Sequence, residues 1–216
     1  MDAETLSEQA EAKYDSRNYK GAIEDLNLAI KLDSSEEYYY WLRALSREEI
    51  KDYRGAAKDL TILIEMDPDD EDFYFRRARV YEKMKNYLGA IEDFTKLIEI
   101  NPHDEDYYYA RAENREDIVD FVGAIEDYSA LIKLEPDNPE YYYRRARVKE
   151  KIKVYEGAIE DYLTCIQLDP TEKLHYQRNT LEAQQRLKDF QNRLLNNLNP
   201  ISKFQLTIIF AEVYNN

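Results

Sequence analysis

The feature that most constrains how this chain folds is an internal repeat of 34 residues. All five glycines follow that spacing: Gly21, Gly55, Gly89, Gly123 and Gly157. Four of the six prolines follow it as well: Pro68, Pro102, Pro136 and Pro170. A fixed period of this length indicates a repeat architecture, in which each copy is a small unit that needs its neighbours to bury its apolar surface.

One copy, residues 71–104, shows what the period encodes. Its first half carries a stripe at helical spacing: Tyr74, Ala78, Tyr81 and Met84. Its second half carries another: Ala90, Ile91, Phe94, Leu97 and Ile98. Residues three or four positions apart lie on one face of an α-helix. Asn101-Pro102 ends the second stripe, because proline disfavours helix in the residue before it. Each copy is therefore predicted to be two antiparallel helices joined by a short turn.

Two columns of alanine predict how the helix pairs pack. One lies in the first helix: Ala44, Ala78, Ala112 and Ala146. The other lies near the start of the second helix: Ala22, Ala56, Ala90, Ala124 and Ala158. Small side chains at fixed places let two helix axes approach closely, with large partners opposite. The predicted fold class is an all-α solenoid. The Asn or Asp in the turn before the second helix, replaced once by Val154, is expected to tolerate unusual dihedrals there.

Read in one register, these columns closely resemble the tetratricopeptide repeat family. The resemblance also rests on the segments NYKGAIEDL, NYLGAIEDF, DFVGAIEDY and VYEGAIEDY, and on the endings LDP, MDP, INP and LEP. It covers residues 3–172 as five repeats, at about 3–36, 37–70, 71–104, 105–138 and 139–172. The resemblance implies a right-handed superhelix whose first helices line a concave groove. It also implies that this groove holds a peptide segment of a partner protein.

One subfamily of these proteins clamps the C-terminal carboxylate of heat-shock chaperones with Lys, Asn and Arg side chains in three successive first helices. At the matching positions this chain has Ser7, Glu11, Leu42, Asp72 and Arg76. Only the arginine agrees with the pattern. The resemblance therefore does not extend to a chaperone-tail clamp.

The period fades after Pro170. Residues 173–198 read as one long helix with leucines among polar residues: Leu174, Leu181, Leu187, Leu194, Leu195 and Leu198. This helix is expected to cap the last repeat, which would otherwise leave an apolar face in water. The tail, residues 199–216, contains an uncharged apolar run from Leu206 to Phe210 that would invite aggregation if exposed. We expect it to fold back onto the repeats; the alternative is that it docks on a partner or on a second copy.

Blocks of three adjacent aromatic residues stand in four of the first helices, as in EYYYRRARV at 140–148. Successive residues of a helix point about 100° apart, so the three cannot share one environment. The middle residue, Tyr142, is predicted to lie in the core. The first, Tyr141, is predicted at the contact between repeats, with Arg145 over its ring. The third, Tyr143, is predicted to face water.

This third column forms the predicted binding surface: Trp41, Phe75, Tyr109 and Tyr143. Four arginines stand beside it: Arg76, Arg79, Arg144 and Arg147. Aromatic and arginine side chains are enriched in interface hot spots. The aromatics are therefore predicted to anchor a peptide, and the arginines to hold its acidic or carbonyl groups.

Two alternatives to this binding surface stay open. Acids stand one turn further along the same helices: Glu82, Glu116, Asp117 and Glu150. They could pair with the arginines across repeats and leave only a lattice of weak surface ion pairs. In the other alternative the chain is a structural protein that self-assembles through its tail, with an idle groove.

Composition excludes several classes of partner. The chain has 45 Asp and Glu against 30 Lys and Arg, a formal charge of −15, which argues against nucleic acid and anionic membranes. Cys165 is the only cysteine, so neither an intrachain disulfide nor a thiolate zinc site is possible. No apolar run is long enough for a transmembrane helix. The opening residues MDAETLSEQAEAKY lack the apolar run of a signal peptide, so the expected location is cytoplasmic.

No catalytic, metal or cofactor site is predicted. His103 and His175 lie in different contexts, and neither has a ligand partner four residues on. Every glycine belongs to the repeat, so none is left for a phosphate-binding loop. Acid pairs such as Glu92-Asp93 recur in the second helices, and a repeated pair is read as a solvated face. The expected protein is a non-enzymatic scaffold without cofactors.

Overall fold

The computed structural model describes residues 1–196 of the chain. Within that range the chain forms eleven α-helices, a short 3₁₀ turn at Pro170–Glu172, and no strand. The helices are α1 Ala3–Asp15, α2 Tyr19–Leu32, α3 Glu37–Glu49, α4 Tyr53–Met66, α5 Glu71–Lys83, α6 Tyr87–Ile100, α7 Glu105–Asp117, α8 Phe121–Leu134, α9 Pro139–Lys151, α10 Tyr155–Leu168 and α11 Lys173–Asn196. The predicted all-α fold of tandem helix–turn–helix repeats is confirmed.

The helices fall into two compact units. The N-terminal unit, Met1–Asp120, contains α1 to α7, and the C-terminal unit, which begins at Phe121, contains α8 to α11. Inside the N-terminal unit each helix packs on the next one along the chain. Inside the C-terminal unit α8 packs on α9, α9 on α10, and α10 on α11. Consecutive contacts of this kind are how a repeat buries the stripe that one helix pair cannot cover alone.

The two alanine columns lie in the core, as predicted, and every member is fully buried. In the N-terminal unit Ala44 and Ala56 pack with Leu60 and Tyr40 in one apolar cluster. In the C-terminal unit Ala158 packs with Tyr162. Each large apolar side chain buried in this way stabilises the fold by roughly 1.5–3 kcal/mol.

The turn inside each helix pair differs from the prediction. The residue with positive φ precedes the expected one: Arg17, Lys51, Lys85, Val119 and Lys153, with φ between 57° and 65°. The following Asn or Asp has negative φ and caps the second helix instead. Asn86, for example, accepts a hydrogen bond from the Gly89 backbone N–H at 3.4 Å. A cap satisfies one of the free N–H groups at the helix start. Val154 has the same backbone and makes no side-chain cap bond.

The repeated glycine is explained by this cap. At Gly55 an added Cβ would lie 2.2 Å from Oδ2 of the capping Asp52, far inside contact distance. At Gly157, which follows the uncapped Val154, the nearest atom to such a Cβ is Nζ of Lys149 at 3.2 Å. An added Cβ would therefore crowd the capping side chain at Gly55, and the approach is less close at Gly157, where the cap is missing.

The acid pairs of the second helices are not a solvated face, and that expectation is wrong. Glu92 is exposed, but its neighbour Asp93 is only 2% exposed. Asp93 accepts two hydrogen bonds from Arg77, at 2.9 Å from Nε and 2.6 Å from Nη2. The third guanidinium nitrogen donates to Thr61 of the preceding helix pair at 3.0 Å. The pairs Arg43–Asp59 and Arg145–Asp161 repeat this geometry. One step along a helix turns the side chain by about 100°, which takes the second acid into the interior.

Helix α11 packs on α10, as expected of a capping helix, but only some of its leucines contribute: Leu187 and Leu195 are half-buried. The buried residues are Tyr176, Thr180 and Ala183. Leu174 and Leu181 are 82% and 65% exposed. Ala183 packs in one apolar cluster with Ala158 and Tyr162. The side of α11 that faces α10 therefore contains a small residue where the two helices meet.

The prediction for the tail, residues 199–216, lies outside the described residues, as do the last two positions of the predicted capping helix. Among the helices of residues 1–196, none combines the length and the apolar character that crossing a bilayer requires.

Candidate functional site

The three adjacent aromatics of α3 illustrate how the candidate site is built. Tyr39 and Tyr40 are 8% and 6% exposed, while Trp41 remains half-buried. In α3 the third aromatic therefore meets a different environment from the first two. In α9 the first aromatic, Tyr141, is buried, whereas Tyr142 and Tyr143 are both half-buried, so the prediction that Tyr142 lies in the core is wrong. One detail differs, because Arg43 lies over the ring of the middle residue Tyr40, at 5.4 Å, and not over the first. The same holds for Arg145 over Tyr142, at 5.7 Å.

The predicted aromatic residues lie on the first helices of their repeats: Trp41, Phe75 and Tyr109 on α3, α5 and α7 of the N-terminal unit, and Tyr143 on α9 of the C-terminal unit. In each unit we call the side of the first helices that carries them the first-helix face of that unit. On α3, Trp41 packs against Phe73 with ring centroids 5.8 Å apart. Arg76 of the next helix pair lies over the indole at 5.4 Å. The same Arg76 donates from Nε to Glu48 at 2.7 Å, so its guanidinium is fixed between a ring and a carboxylate.

Phe75 is the most open aromatic of the face in the N-terminal unit, with 39% of its surface exposed. Its ring touches Phe94 at 6.3 Å and Tyr107 at 6.1 Å, so one side is supported and the other faces solvent. Arg79 lies one turn further on α5, with a side chain 54% exposed, and pairs with Glu82 at 2.7 Å. Tyr109 is half-buried on α7.

In the C-terminal unit the face is formed by α9. Tyr143 packs among Tyr162, His175 and Tyr176, with ring centroids 5.4–6.0 Å apart. Arg147 donates to the Tyr143 hydroxyl at 3.0 Å and lies over its ring. That hydrogen bond raises the pKa of the Arg147 guanidinium, which stays charged.

The arginines of the face already have acidic or aromatic partners. Arg76 reaches across to the preceding helix pair, where Glu48 also receives Lys83 at 3.0 Å. Arg144 pairs within its own helix with Glu140 at 2.6 Å. The pair Arg144–Glu140 is half-exposed and contributes little to stability, whereas the side chain of Glu48 is only 7% exposed and is buried between two cations. A guanidinium has five N–H donors, so each arginine can keep its carboxylate and still donate to a ligand.

One tyrosine bridge between helix pairs was not anticipated from the sequence. The Tyr107 hydroxyl of α7 donates to Glu71 at the start of α5, at 2.8 Å. Burial first, and then the bond to Glu71, raises the pKa of Tyr107 far above its usual range. The equivalent of Tyr107 two periods earlier is Tyr39, and the equivalent of Glu71 is Ala3. The methyl side chain of Ala3 cannot accept a hydrogen bond from the tyrosine hydroxyl. A register comparison of the repeats could have found this difference.

That difference lies in a cleft of about 720 Å³ between α1 and the start of α3, which we call the N-terminal cleft. Of its ten lining residues six are acidic and none is basic: Asp2, Ala3, Glu4, Ser7, Glu8, Glu11, Asp33, Glu36, Tyr38 and Tyr39. In the sequence, Ser7 and Glu11 stand out only as departures from the chaperone clamp, and no motif there predicts the cleft that they line.

No cluster of three or more His, Cys, Asp or Glu in residues 1–196 has a geometry that could hold a metal ion. Cys165 is buried, and burial raises the pKa of its thiol to about 12, so the reactive thiolate is scarce at neutral pH.

Comparison with known families and structures agrees with this geometry. The tetratricopeptide repeat matches residues 71–104 and 139–172. A search of curated protein sequences gives no significant match. Solved structures with a similar fold include MamA, at 16% identity over 79% of this chain and 93% of that chain, with a TM-score of 0.64. MamA 41-end from Desulfovibrio magneticus RS-1 is also similar, at 15% identity over 79% and 96%, with a TM-score of 0.60.

A further similar structure is YrrB, described as a TPR protein with an unusual peptide-binding site. Its identity is 17%, the alignment covers 82% of this chain and 92% of that chain, and the TM-score is 0.62. At identities this low the likeness to these structures shows the fold alone.

Proposed function

This chain belongs to the tetratricopeptide repeat family, and on that premise we propose that its first-helix face binds a peptide segment of a partner protein. Members of the family generally serve as scaffolds for protein–protein interaction. We further propose that residues 3–172 form five such repeats. The cytoplasmic location stays a prediction from composition.

The observation that carries the proposal is the position of Phe75. An aromatic ring that is 39% exposed, supported on one side by Phe94 and Tyr107, has a rigid apolar surface left to cover. Rigid aromatics bind with little loss of side-chain entropy, and their truncation at an interface costs about 1–2 kcal/mol or more. Trp41 lies on the preceding first helix, 34 residues earlier, and is also only partly covered.

The arginines would select a bound segment that carries hydrogen-bond acceptors. Arg79 is the most open of those in the N-terminal unit, and its pair with Glu82 leaves further N–H donors for a ligand carboxylate or carbonyl. Glu48 holds the Arg76 guanidinium over the Trp41 ring. In this position Arg76 would form one rigid side of the binding surface and donate hydrogen bonds to the ligand. In the C-terminal unit Arg144 and Arg147 would act in the same way beside Tyr143.

The test is an affinity capture from native extract with the full chain and two variants. In one, Phe75 is replaced by Ser; in the other, Arg76, Arg79, Arg144 and Arg147 are all replaced by Glu. We expect a partner that the wild-type chain retains to be lost by both, with about tenfold weaker binding for Phe75→Ser. The control is Leu88→Ser, at a residue on α6 that is 62% exposed and outside the face.

The outcomes separate the roles. Retention of the same partners by Phe75→Ser and by the arginine variant would contradict the proposal. Loss with Phe75→Ser alone would keep the aromatic anchor and remove the arginines from the mechanism. Circular dichroism of each variant would establish that the loss does not come from unfolding.

A second candidate function is self-association through the C-terminal end. The observation that favours it is the exposure of Leu174, Leu181 and Leu194 on α11, which precedes the apolar tail in sequence. Measuring the mass in solution of the full chain and of residues 1–198 over a range of concentrations tests this candidate. Dimers that disappear on truncation would support it, and monomers in both samples would contradict it.

A further inference from the structure

The first-helix face of the N-terminal unit changes its charge along the chain. The positions of Arg76 and Arg79 on α5 correspond, two periods earlier, to Glu8 and Glu11 on α1. Ser7 takes the place that Trp41 and Phe75 hold in the aromatic column. A small hydroxyl in place of a large ring leaves space, and this space is the N-terminal cleft.

The carboxylates of the cleft are of two kinds. Asp2, Asp33 and Glu36 accept backbone N–H bonds at helix starts or in a turn. Glu4, Glu8 and Glu11 form an exposed stripe along α1, at i, i+4 and i+7. Burial first, and then a hydrogen bond to Glu11, raises the pKa of the Tyr38 hydroxyl, whereas Glu4 and Glu8 have no ion-pair partner among the described residues. Like charges at this spacing destabilise a helix slightly, so a bound cation would relieve them.

Two buried hydroxyl groups of the cleft also lack partners. Ser7 and Tyr39 are 6% and 8% exposed, and neither hydroxyl has a hydrogen-bond partner among residues 1–196. Within that range only Asn114 Oδ1 is both inaccessible and without a partner, so the hydroxyls of Ser7 and Tyr39 are reached from the cleft that they line. Both hydroxyls are therefore free to form hydrogen bonds with a ligand in the cleft.

Tyr39 stays protonated in these surroundings. Burial raises the pKa of its hydroxyl, and the negative charges of Glu36, Asp33, Glu4 and Asp2 raise it further. A protonated phenol donates one hydrogen bond and accepts another. The Tyr39 hydroxyl can therefore donate to an acceptor of the ligand, such as a peptide carbonyl, while the carboxylates of the cleft accept hydrogen bonds from donors of the ligand.

We propose that the N-terminal cleft binds a lysine- or arginine-bearing stretch of the partner segment, with side-chain N–H groups on Glu4, Glu8 and Glu11 and a peptide carbonyl on Tyr39. The six carboxylates are not arranged as a metal site in the described chain, which favours an extended organic cation over a single ion. A volume of about 720 Å³ accommodates more than one side chain. The inference rests on the proposed peptide-binding function, and it assigns the basic part of the bound segment to α1.

The test measures the binding of fluorescein-labelled peptides to the full chain by fluorescence anisotropy. The probes are a short lysine- and arginine-rich peptide and its counterpart with Glu in place of each basic residue. We expect the basic peptide to bind and the acidic one to bind at least about tenfold more weakly. Glu8→Gln with Glu11→Gln should weaken the basic peptide about tenfold, because two carboxylate contacts are lost. Tyr39→Phe should weaken it about threefold.

The matched control is Glu24→Gln with Glu92→Gln, which removes the same charge from exposed second-helix positions of the same unit. It should change the binding of the basic peptide by less than about twofold. A sharper variant is Glu8→Arg with Glu11→Arg, which copies the residues of α5 and should turn the preference toward the acidic peptide. Equal binding of the two peptides by the wild-type chain, or unchanged binding by Glu8→Gln with Glu11→Gln, would overturn the inference.

Failure of this inference is distinguishable from failure of the proposed function, because Phe75 lies outside the cleft. If Phe75→Ser loses captured partners while the cleft variants bind the basic peptide normally, the function holds and the cleft assignment is overturned. If the cleft variants weaken the basic peptide while Phe75→Ser keeps all partners, the cleft assignment is supported and the aromatic anchor is overturned.

Discussion

Residues 71–104 and 139–172, the two segments that match the tetratricopeptide repeat, have the same interior and different edges. In both, an arginine of the first helix forms two hydrogen bonds to an aspartate of the second, at 2.9 and 2.6 Å: Arg77 to Asp93, and Arg145 to Asp161. Asn86 caps α6, whereas Val154 leaves α10 without a side-chain cap. The buried pair of arginine and aspartate is therefore the same in the two segments, whereas the caps and the exposed residues differ.

The constant part has a physical reason. Asp93 and Asp161 are 2% and 3% exposed, so an unpaired carboxylate there would be costly. The arginine also donates to a hydroxyl of the preceding helix pair, Thr61 in one segment and Ser129 in the other. A single side chain therefore joins three helices. Among the described residues the exposed Arg79 pairs only with Glu82, one turn away on α5, and the link to α7 comes from Glu82, which accepts a hydrogen bond from Asn114 at 2.6 Å.

The largest expected effect comes from breaking the buried pair. Asp93→Ala removes the partner of a buried guanidinium and should destabilise the protein by about 3–5 kcal/mol. Asp161→Ala should cost at least as much, because it leaves both Arg145 and Lys149 without their carboxylate. Urea denaturation followed by circular dichroism measures both.

The control for this prediction is Glu92→Ala, one residue away and exposed, which should change the free energy of unfolding by less than about 0.5 kcal/mol. Equal effects of Asp93→Ala and Glu92→Ala on the free energy of unfolding would show that the buried pair does not stabilise the repeat more than an exposed acid does.

An intermediate effect should follow from exchanging the caps. Val154→Asn supplies the missing side-chain acceptor on a backbone that already has the capping geometry, so it should stabilise the protein by about 1 kcal/mol. Asn86→Val should destabilise it by about the same amount. Thermal unfolding measures the pair, with Val154→Ala as the control that shortens the side chain without adding an acceptor. Equal stability of Val154→Asn and Val154→Ala would show that the cap does not form.

The smallest effect on stability is expected on the exposed face. Arg79→Ala loses one half-exposed ion pair with Glu82 and should change the free energy of unfolding by less than about 0.5 kcal/mol. Arg147→Ala loses a hydrogen bond to Tyr143 and should cost slightly more. Both should weaken partner binding more than they weaken the fold, which pull-down and denaturation measured side by side would show. A large loss of stability with unchanged binding would assign these arginines to the fold.

Much of the fold was predictable because the period repeats each constraint four or five times. Alanine columns and helix-ending prolines each predict the same helix pairs, and the structure confirms them. The acid pairs were misjudged because composition alone cannot tell Glu92 from Asp93. Their burial depends on a rotation of one residue along the helix and on an arginine 16 positions earlier.

The candidate site was predictable only in part. Helical geometry placed Trp41 and Phe75 on a partly exposed face, since three adjacent aromatics cannot all be buried. The partners of the arginines follow from contacts between successive helix pairs, which a single repeat does not contain. The N-terminal cleft was missed because its signal is a departure from the repeat: Ser7 where an aromatic stands elsewhere, and Ala3 where Glu71 receives a tyrosine.

The most direct test of the central claim is site-directed photocrosslinking with a benzophenone amino acid at Phe75 or at Leu88, in the presence of a captured partner. Both positions are apolar and exposed on the same helix pair, Phe75 on the first helix and Leu88 on the second. If the first-helix face binds the partner, the probe at Phe75 crosslinks to it and the probe at Leu88 does not. Crosslinking from Leu88 alone, or equally from both positions, would contradict the account.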